Sequence, residues 1–141
     1  MTATVITIEV LVNAPIEQVW NFWTDSNHII KWNNPSPEWH TPKATHDVKP
    51  GGKFVFRMEA RDGSMGFDYS GVYNEVQPMQ QLTSTLDDDR KVKVIFTKEG
   101  NATRVVQSFD AENENPVEMQ RAGWQGILDS FKNYVEMNKD R

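Results

Sequence analysis

The sequence predicts an α+β fold in which a curved antiparallel sheet of six to seven strands wraps around a long carboxy-terminal helix. Three observations carry this expectation. Within Pro116 to Asn138, the residues Trp124, Ile127, Leu128, Phe131, Tyr134 and Val135 fall at helical spacing and form one broad apolar stripe that needs a covering surface. Between Lys43 and Asp110, short runs of strand-forming residues alternate with turn signals and offer that surface. Two short helical patterns follow the first strand, so helices and meander are segregated along the chain, as in α+β folds.

Thr4 to Val12 (TVITIEVLV) is rich in β-branched residues and suits a pleated, partly buried strand. Asn13-Ala14-Pro15 ends it. Pro15 has no N–H to lose and fits the first turn of a helix, with Glu17 near the positive end of the helix dipole. Ile16, Val19, Trp20 and Trp23 share one face of that helix, which stops near Asp25 and Ser26; either residue can cap a second short helix closed by Trp32. Asn33 to Pro42 holds three prolines and is expected to be an irregular loop. Because it carries Trp39 and His40, it is expected to cover a cavity.

Pro50-Gly51-Gly52 turns into a strand with Phe54, Phe56 and Met58 on one face, and Asp62-Gly63 closes a hairpin. On the return strand, Phe67 to Val76, Phe67 and Tyr69 share one parity while Val72 and Val76 share the other. A one-residue bulge exchanges the faces of a strand, and Gly71 is the expected switch. Leu82 to Leu86 turns at Asp87-Asp88-Asp89 into a strand with Val92, Val94 and Phe96 inward. Glu99-Gly100-Asn101 leads into Thr103 to Asp110, where Val105, Gln107 and Phe109 share a face. Ala111 to Asn115 is a polar connection, and Pro116 opens the final helix. Gly123 and Gly126 each cost that helix about 1 kcal/mol relative to alanine, which predicts a packing reason or close approach at these positions.

The chain has 141 residues, 38% of them hydrophobic, and is read as one domain spanning residues 1–141. A net charge of -5 argues against partners held through phosphate contacts, so nucleic acid and anionic membrane surfaces are not expected. With no cysteine there is no disulfide framework and no thiolate chemistry. Neither a signal-peptide pattern nor a membrane-length apolar run is present, and a cytoplasmic location is expected. Monomer and homodimer are both compatible with the sequence.

Three stretches also carry a resemblance: VNAPIEQVWNFWTDSNHIIKW after the opening strand, KPGGKFVFRMEARDGSMGFDYSGVYNEVQP in the middle and GWQGILDSFKNYVE near the end. Together, in this order and over nearly the whole chain, they resemble the helix-grip superfamily, the START-like or SRPBCC proteins. More narrowly they are similar to the family named for homologues of the activator of the heat-shock protein 90 ATPase. The resemblance implies a helix-grip fold with a hydrophobic cavity between the long helix and the concave sheet, used across the superfamily for lipids, hormones, polyketides and other apolar molecules. It does not imply one reaction. In the eukaryotic activators a separate amino-terminal chaperone-binding domain precedes this one, so a chaperone partner ranks last among the expected functions.

Large aromatics with a few placed polar groups suit the lining of an apolar pocket. The candidate ligand-binding residues are Trp32, Trp39, His40, Phe56, Met58, Phe67, Tyr69, Gln107, Trp124 and Leu128. Each fits core packing as well; Trp20 and Trp23, on a docking helix face, are assigned to the core. His40, Tyr69 and Gln107 are the polar candidates, since a buried polar group needs a partner that a ligand, a water or the backbone can supply. No catalytic residue, metal ligand or cofactor is assigned. His28, His40 and His46 lack metal-helix spacing, and no nucleophile elbow, phosphate loop or dinucleotide fingerprint occurs. Glu59 and Asp68 are possible cross-strand neighbours for acid–base work. In order, the functions expected are binding of a small hydrophobic ligand, lipid-like or aromatic; an enzyme of cyclase or hydrolase type in the same cavity; and a chaperone accessory.

Overall fold

The computed structural model describes residues 4–139. The elements run β1 (Val5–Val12), α1 (Ile16–Thr24), α2 (Ser26–Trp32), β2 (Trp39–His46), β3 (Lys53–Ala60), β4 (Gly66–Gln77), β5 (Gln81–Leu86), β6 (Lys91–Glu99), β7 (Ala102–Asp110) and α3 (Val117–Asn138). The seven strands form one sheet in the order β1-β7-β6-β5-β4-β3-β2, and each neighbouring pair is antiparallel. Strands β2 to β7 are thus a simple meander, and β1 returns to pair with β7. The expected α+β architecture, with two short helices after the first strand and a long helix packed on a curled sheet, is the one observed.

Alternation decides which face is buried. Along β1, Ile6, Ile8, Val10 and Val12 point inward while Val5, Thr7, Glu9 and Leu11 face out. Thr103, Val105, Gln107 and Phe109 do the same on β7, and Val92, Val94 and Phe96 on β6. Onto this surface α3 presses Leu128, Phe131 and Val135, each with 0% of its surface exposed. Val19 and Phe22 of α1 with Ile29 and Trp32 of α2 complete the core. Asp25 caps α2 by accepting a hydrogen bond from the Asn27 N–H at 2.9 Å.

The helix also covers a sheet edge. Strand β1 is outermost, so the carbonyls of Thr7, Glu9 and Leu11 have no further strand to accept from. Arg121, Gln125 and Lys132 of α3 donate to these three carbonyls at 3.0, 3.3 and 2.8 Å. The polar flank of the helix is therefore as much part of the grip as its apolar stripe.

Three local expectations are corrected. The segment from Trp39 is not an irregular loop but strand β2. It tolerates Pro42 because β2 is the other edge of the sheet and its pairing with β3 shifts register between His40 and Lys43. The bulge on β4 lies between Tyr73 and Glu75, not at Gly71. Phe67, Tyr69, Gly71 and Tyr73 keep one parity, and Val76 joins that face only after the bulge. Gly71 serves a different purpose: a Cβ there would lie 2.3 Å from the Thr85 carbonyl oxygen. Finally, of the two glycines in α3, Gly126 faces a close neighbour, the Pro35 carbonyl oxygen, 2.6 Å from where a Cβ would sit, whereas Gly123 has open space around it.

Candidate functional site

Helix α3 packs against β1, α1 and α2 but stands off from β3, β4 and β5. The gap is a cavity of about 310 Å³. Its floor comes from the concave face of the sheet: Phe54, Phe56 and Met58 of β3, Phe67, Tyr69 and Tyr73 of β4, Leu82 and Ser84 of β5, Val92 and Val94 of β6, and Gln107 of β7. Trp124 and Ile127 of α3 form the roof, and Trp23, Trp32 and Asn33 close one end. Arg90, Glu112, Asn115 and Gln120 supply its charged and amide groups.

Aromatic contacts hold the walls. The Trp124 ring stacks on Phe109 with centroids 3.8 Å apart and planes at 9°, and meets Tyr69 edge-on at 5.9 Å. Trp124 therefore spans the gap that the helix backbone leaves. At the closed end Trp23 and Trp32 lie 5.0 Å apart, and Phe131 meets both edge-on at 4.9 and 4.8 Å. The Trp32 indole N–H is satisfied by the Phe22 carbonyl at 2.9 Å, so this ring offers the cavity only an apolar surface. Asn33, Thr41 and Met58 interlock: the Asn33 amide donates to Thr41 Oγ1 at 3.2 Å and to Met58 Sδ at 3.1 Å, and Thr41 Oγ1 donates to the Asn33 carbonyl at 2.6 Å.

The connection before α3 is knitted by its own side chains. The Glu112 carboxylate accepts from the N–H groups of Glu114 and Asn115, both at 2.8 Å, and the Glu114 bond first of all holds its pKa below the usual carboxylate range. Gln120 binds this connection through both ends of its amide: Oε1 accepts from the Glu112 N–H at 2.9 Å and Nε2 donates to the Glu112 and Asn115 carbonyls at 3.1 and 2.8 Å. Across from it Arg90 donates to Asp88 at 2.8 Å.

Polar groups behind the wall are also fixed. His46 Nε2 lies 2.6 Å from the Thr24 carbonyl, which only accepts, so Nε2 carries the proton and Nδ1 accepts from the Tyr73 hydroxyl at 2.7 Å. Burial lowers the His46 pKa, against upward pulls from the Thr24 carbonyl and from Asp25 and Asp47. Burial raises the Tyr69 and Tyr73 phenols well above their ordinary value, so both stay neutral. A lowered histidine pKa places its stability contribution above about pH 6.5; as the pH falls below that, the unfolded chain takes up a proton that the folded chain resists. Between pH 7.5 and 5.5, wild type is expected to lose more stability than His46→Gln, because only wild type carries the imidazole whose folded pKa burial lowers. Urea unfolding at both pH values checks this, and parallel losses in the two proteins would remove His46 as the titrating group.

Seven of the ten candidate residues line the cavity: Trp32, Phe56, Met58, Phe67, Tyr69, Gln107 and Trp124. Three do not. Leu128 is sealed in the core with 0% exposure. Trp39 begins β2 and meets the Phe67 ring edge-on at 6.0 Å, outside the lining. His40 faces Glu59 at 3.9 Å and is half-exposed. Trp23, assigned from the sequence to the core, both packs there and lines the cavity. Arg57 bridges Glu59 at 2.9 Å and Asp68 at 3.4 Å on partly exposed surface, so that acidic pair also lies outside the cavity. Sequence reasoning missed Arg90, Glu112, Asn115 and Gln120. Of these only Gln120 had a signal: it lies four residues before Trp124 and extends the buried stripe of α3 by one turn.

A family model described as Activator of Hsp90 ATPase homolog 1-like protein matches residues 13–136. The chain belongs to this family. Its fold is accordingly the helix grip of the START-like, SRPBCC superfamily. No curated protein sequence matches the chain. Among solved structures it is similar to an AHSA1-like protein from Aeromonas hydrophila, determined in solution, at 42% identity and TM-score 0.91, covering 98% of this chain and 96% of that one. A solution structure from Cytophaga hutchinsonii aligns at 50% identity and TM-score 0.82, covering 96% and 94%. A crystal structure from Chromobacterium violaceum shares the fold at TM-score 0.85 and 22% identity, over 94% and 98% of the two chains. Members of this family typically enclose a ligand-binding cavity, and in this chain a cavity lies between α3 and the sheet. No helix among the described residues is long and apolar enough to cross a membrane.

Proposed function

We propose that this chain is a small-molecule binding protein whose ligand is a compact, largely apolar molecule held between α3 and the sheet. The observation that carries this is the cavity itself, about 310 Å³ and walled by Trp23, Trp32, Phe54, Phe56, Tyr69 and Trp124. Ligand sites are typically such aromatic-lined concavities of roughly 300–1,000 Å³ with a few convergent polar groups. A volume at the lower end favours a ring-sized compound over a long-chain lipid. Support for binding over an acid–base enzyme comes from the positions of His40, Glu59 and Asp68, which lie outside the lining.

Titration of tryptophan emission with a library of ring compounds and fatty acids tests the proposal, because three of the five tryptophans line the cavity. Saturable quenching by compact ring compounds at micromolar concentration is expected, with weaker or no response to long-chain acids. Leu82→Trp, which places an indole in the cavity, is expected to weaken that binding at least tenfold with little change in Tm. An emission spectrum indifferent to every compound, or unaltered binding in the filled variant, would rule the cavity out as the site.

A further inference from the structure

The geometry points to two polar positions on the sheet floor, the carboxamide of Gln107 and the hydroxyl of Ser84, that select a ligand carrying a neutral group able both to donate and to accept a hydrogen bond. This inference rests on the cavity being a ligand site and concerns which ligands it takes.

Gln107 and Ser84 are buried on the concave face and line the cavity. Other buried polar side chains nearby are committed within the protein: Asn33 and Thr41 to each other and to Met58, and Gln120 to the connection before α3. Neither Gln107 nor Ser84 has a side-chain hydrogen bond to a described residue. Yet among the described residues no side-chain nitrogen or oxygen is sealed from solvent-sized space without a partner. The two groups therefore open onto the cavity. Their ladder positions put them on the same face but two strands apart: Gln107 pairs with Val94, and Ser84 with Val92, two residues earlier on β6. Val92 and Val94 are the apolar ground between them, and both line the cavity.

A carboxamide presents an acceptor and a donor side by side, and a hydroxyl is both. A hydrocarbon placed against them leaves them unpaired, which binding sites of this kind reject strongly. A carboxylate satisfies only the donors and must leave water in an apolar enclosure, with Asp88 and Glu112 beside Arg90, the one cation among the described lining residues, to oppose it. A phenol or similar neutral hydroxyl meets both demands.

The test uses three probes of one ring size: 2-naphthol, naphthalene and 2-naphthoate, titrated by calorimetry and by amide chemical shifts. Wild type is expected to bind 2-naphthol about tenfold or more tighter than either of the others. In Gln107→Leu the preference for naphthol over naphthalene is expected to vanish or reverse, with naphthalene still bound; Ser84→Ala is expected to reduce it partly. Equal affinity for naphthol and naphthalene in wild type, or a preference that survives in both variants, would overturn this selection while leaving the cavity as a binding site. Failure of all three probes to bind would overturn both.

Discussion

Phe131→Ala is expected to destabilise the fold by about 3–5 kcal/mol, a large share of the roughly 5–15 kcal/mol that holds a domain together. The Phe131 side chain is completely buried, and its ring meets Trp23 and Trp32 edge-on at 4.9 and 4.8 Å. Removing it withdraws the apolar area of a whole ring and leaves a hole beside rings that cannot move far, because the Trp32 N–H is tied to the Phe22 carbonyl. The same two indoles close one end of the cavity, so the hole joins it and the site loses its back wall. Urea unfolding followed by circular dichroism gives the loss in stability, and ring-compound titration gives the loss in affinity. A loss under about 1 kcal/mol would mean that the tryptophans collapse into the space, and that α3 is held chiefly by its polar bonds to β1.

Those polar bonds mark the limit of what periodicity reveals. The apolar stripe of α3 was readable because burial repeats every three or four residues, and Leu128, Phe131 and Val135 are indeed its sealed centre. The contacts of Arg121, Gln125 and Lys132 with β1 carbonyls left no such trace, since a charged or amide side chain on a helix flank looks the same whether it meets water or a strand edge. Strand β2 was hidden for a related reason. Prolines argue against a central strand, and nothing local told that Trp39 to His46 would lie at an edge, where a missing N–H is harmless.

The site follows the same division. Residues that alternate on strands, such as Phe56, Met58, Phe67, Tyr69 and Gln107, were legible as one concave face, and all line the cavity. Residues brought in by turns were not: Arg90 and Glu112 approach only because the β5–β6 turn and the connection before α3 converge. Leu128 and Trp124 show how fine the distinction is along one helix. Four residues apart on one stripe, one is sealed core and the other lines the cavity.

Gly71→Ala is the substitution that tests the closest packing under the cavity, and a loss of about 2–3 kcal/mol is expected. A Cβ at this position would lie 2.3 Å from the Thr85 carbonyl oxygen, 3.0 Å from Leu86 Cα and 2.9 Å from Phe54 Cζ. Of these only the Phe54 ring can turn aside; the others are backbone of the paired strand, since Gly71 lies opposite Leu86 in the ladder. Relief requires β4 and β5 to part, and Phe54, a cavity wall between Tyr69 and Tyr73, moves with them. For a chain of this length the expected fall in Tm is roughly 3–5 °C per kcal/mol. Gly123→Ala in the open part of α3 is the contrasting control: a methyl group there meets nothing within 4 Å, so the helix gains about 1 kcal/mol and Tm is expected to rise. If Gly71→Ala melts like wild type while Gly123→Ala melts higher, the strands are not in the close approach described, and a bulge at Gly71 would become the better account of that glycine.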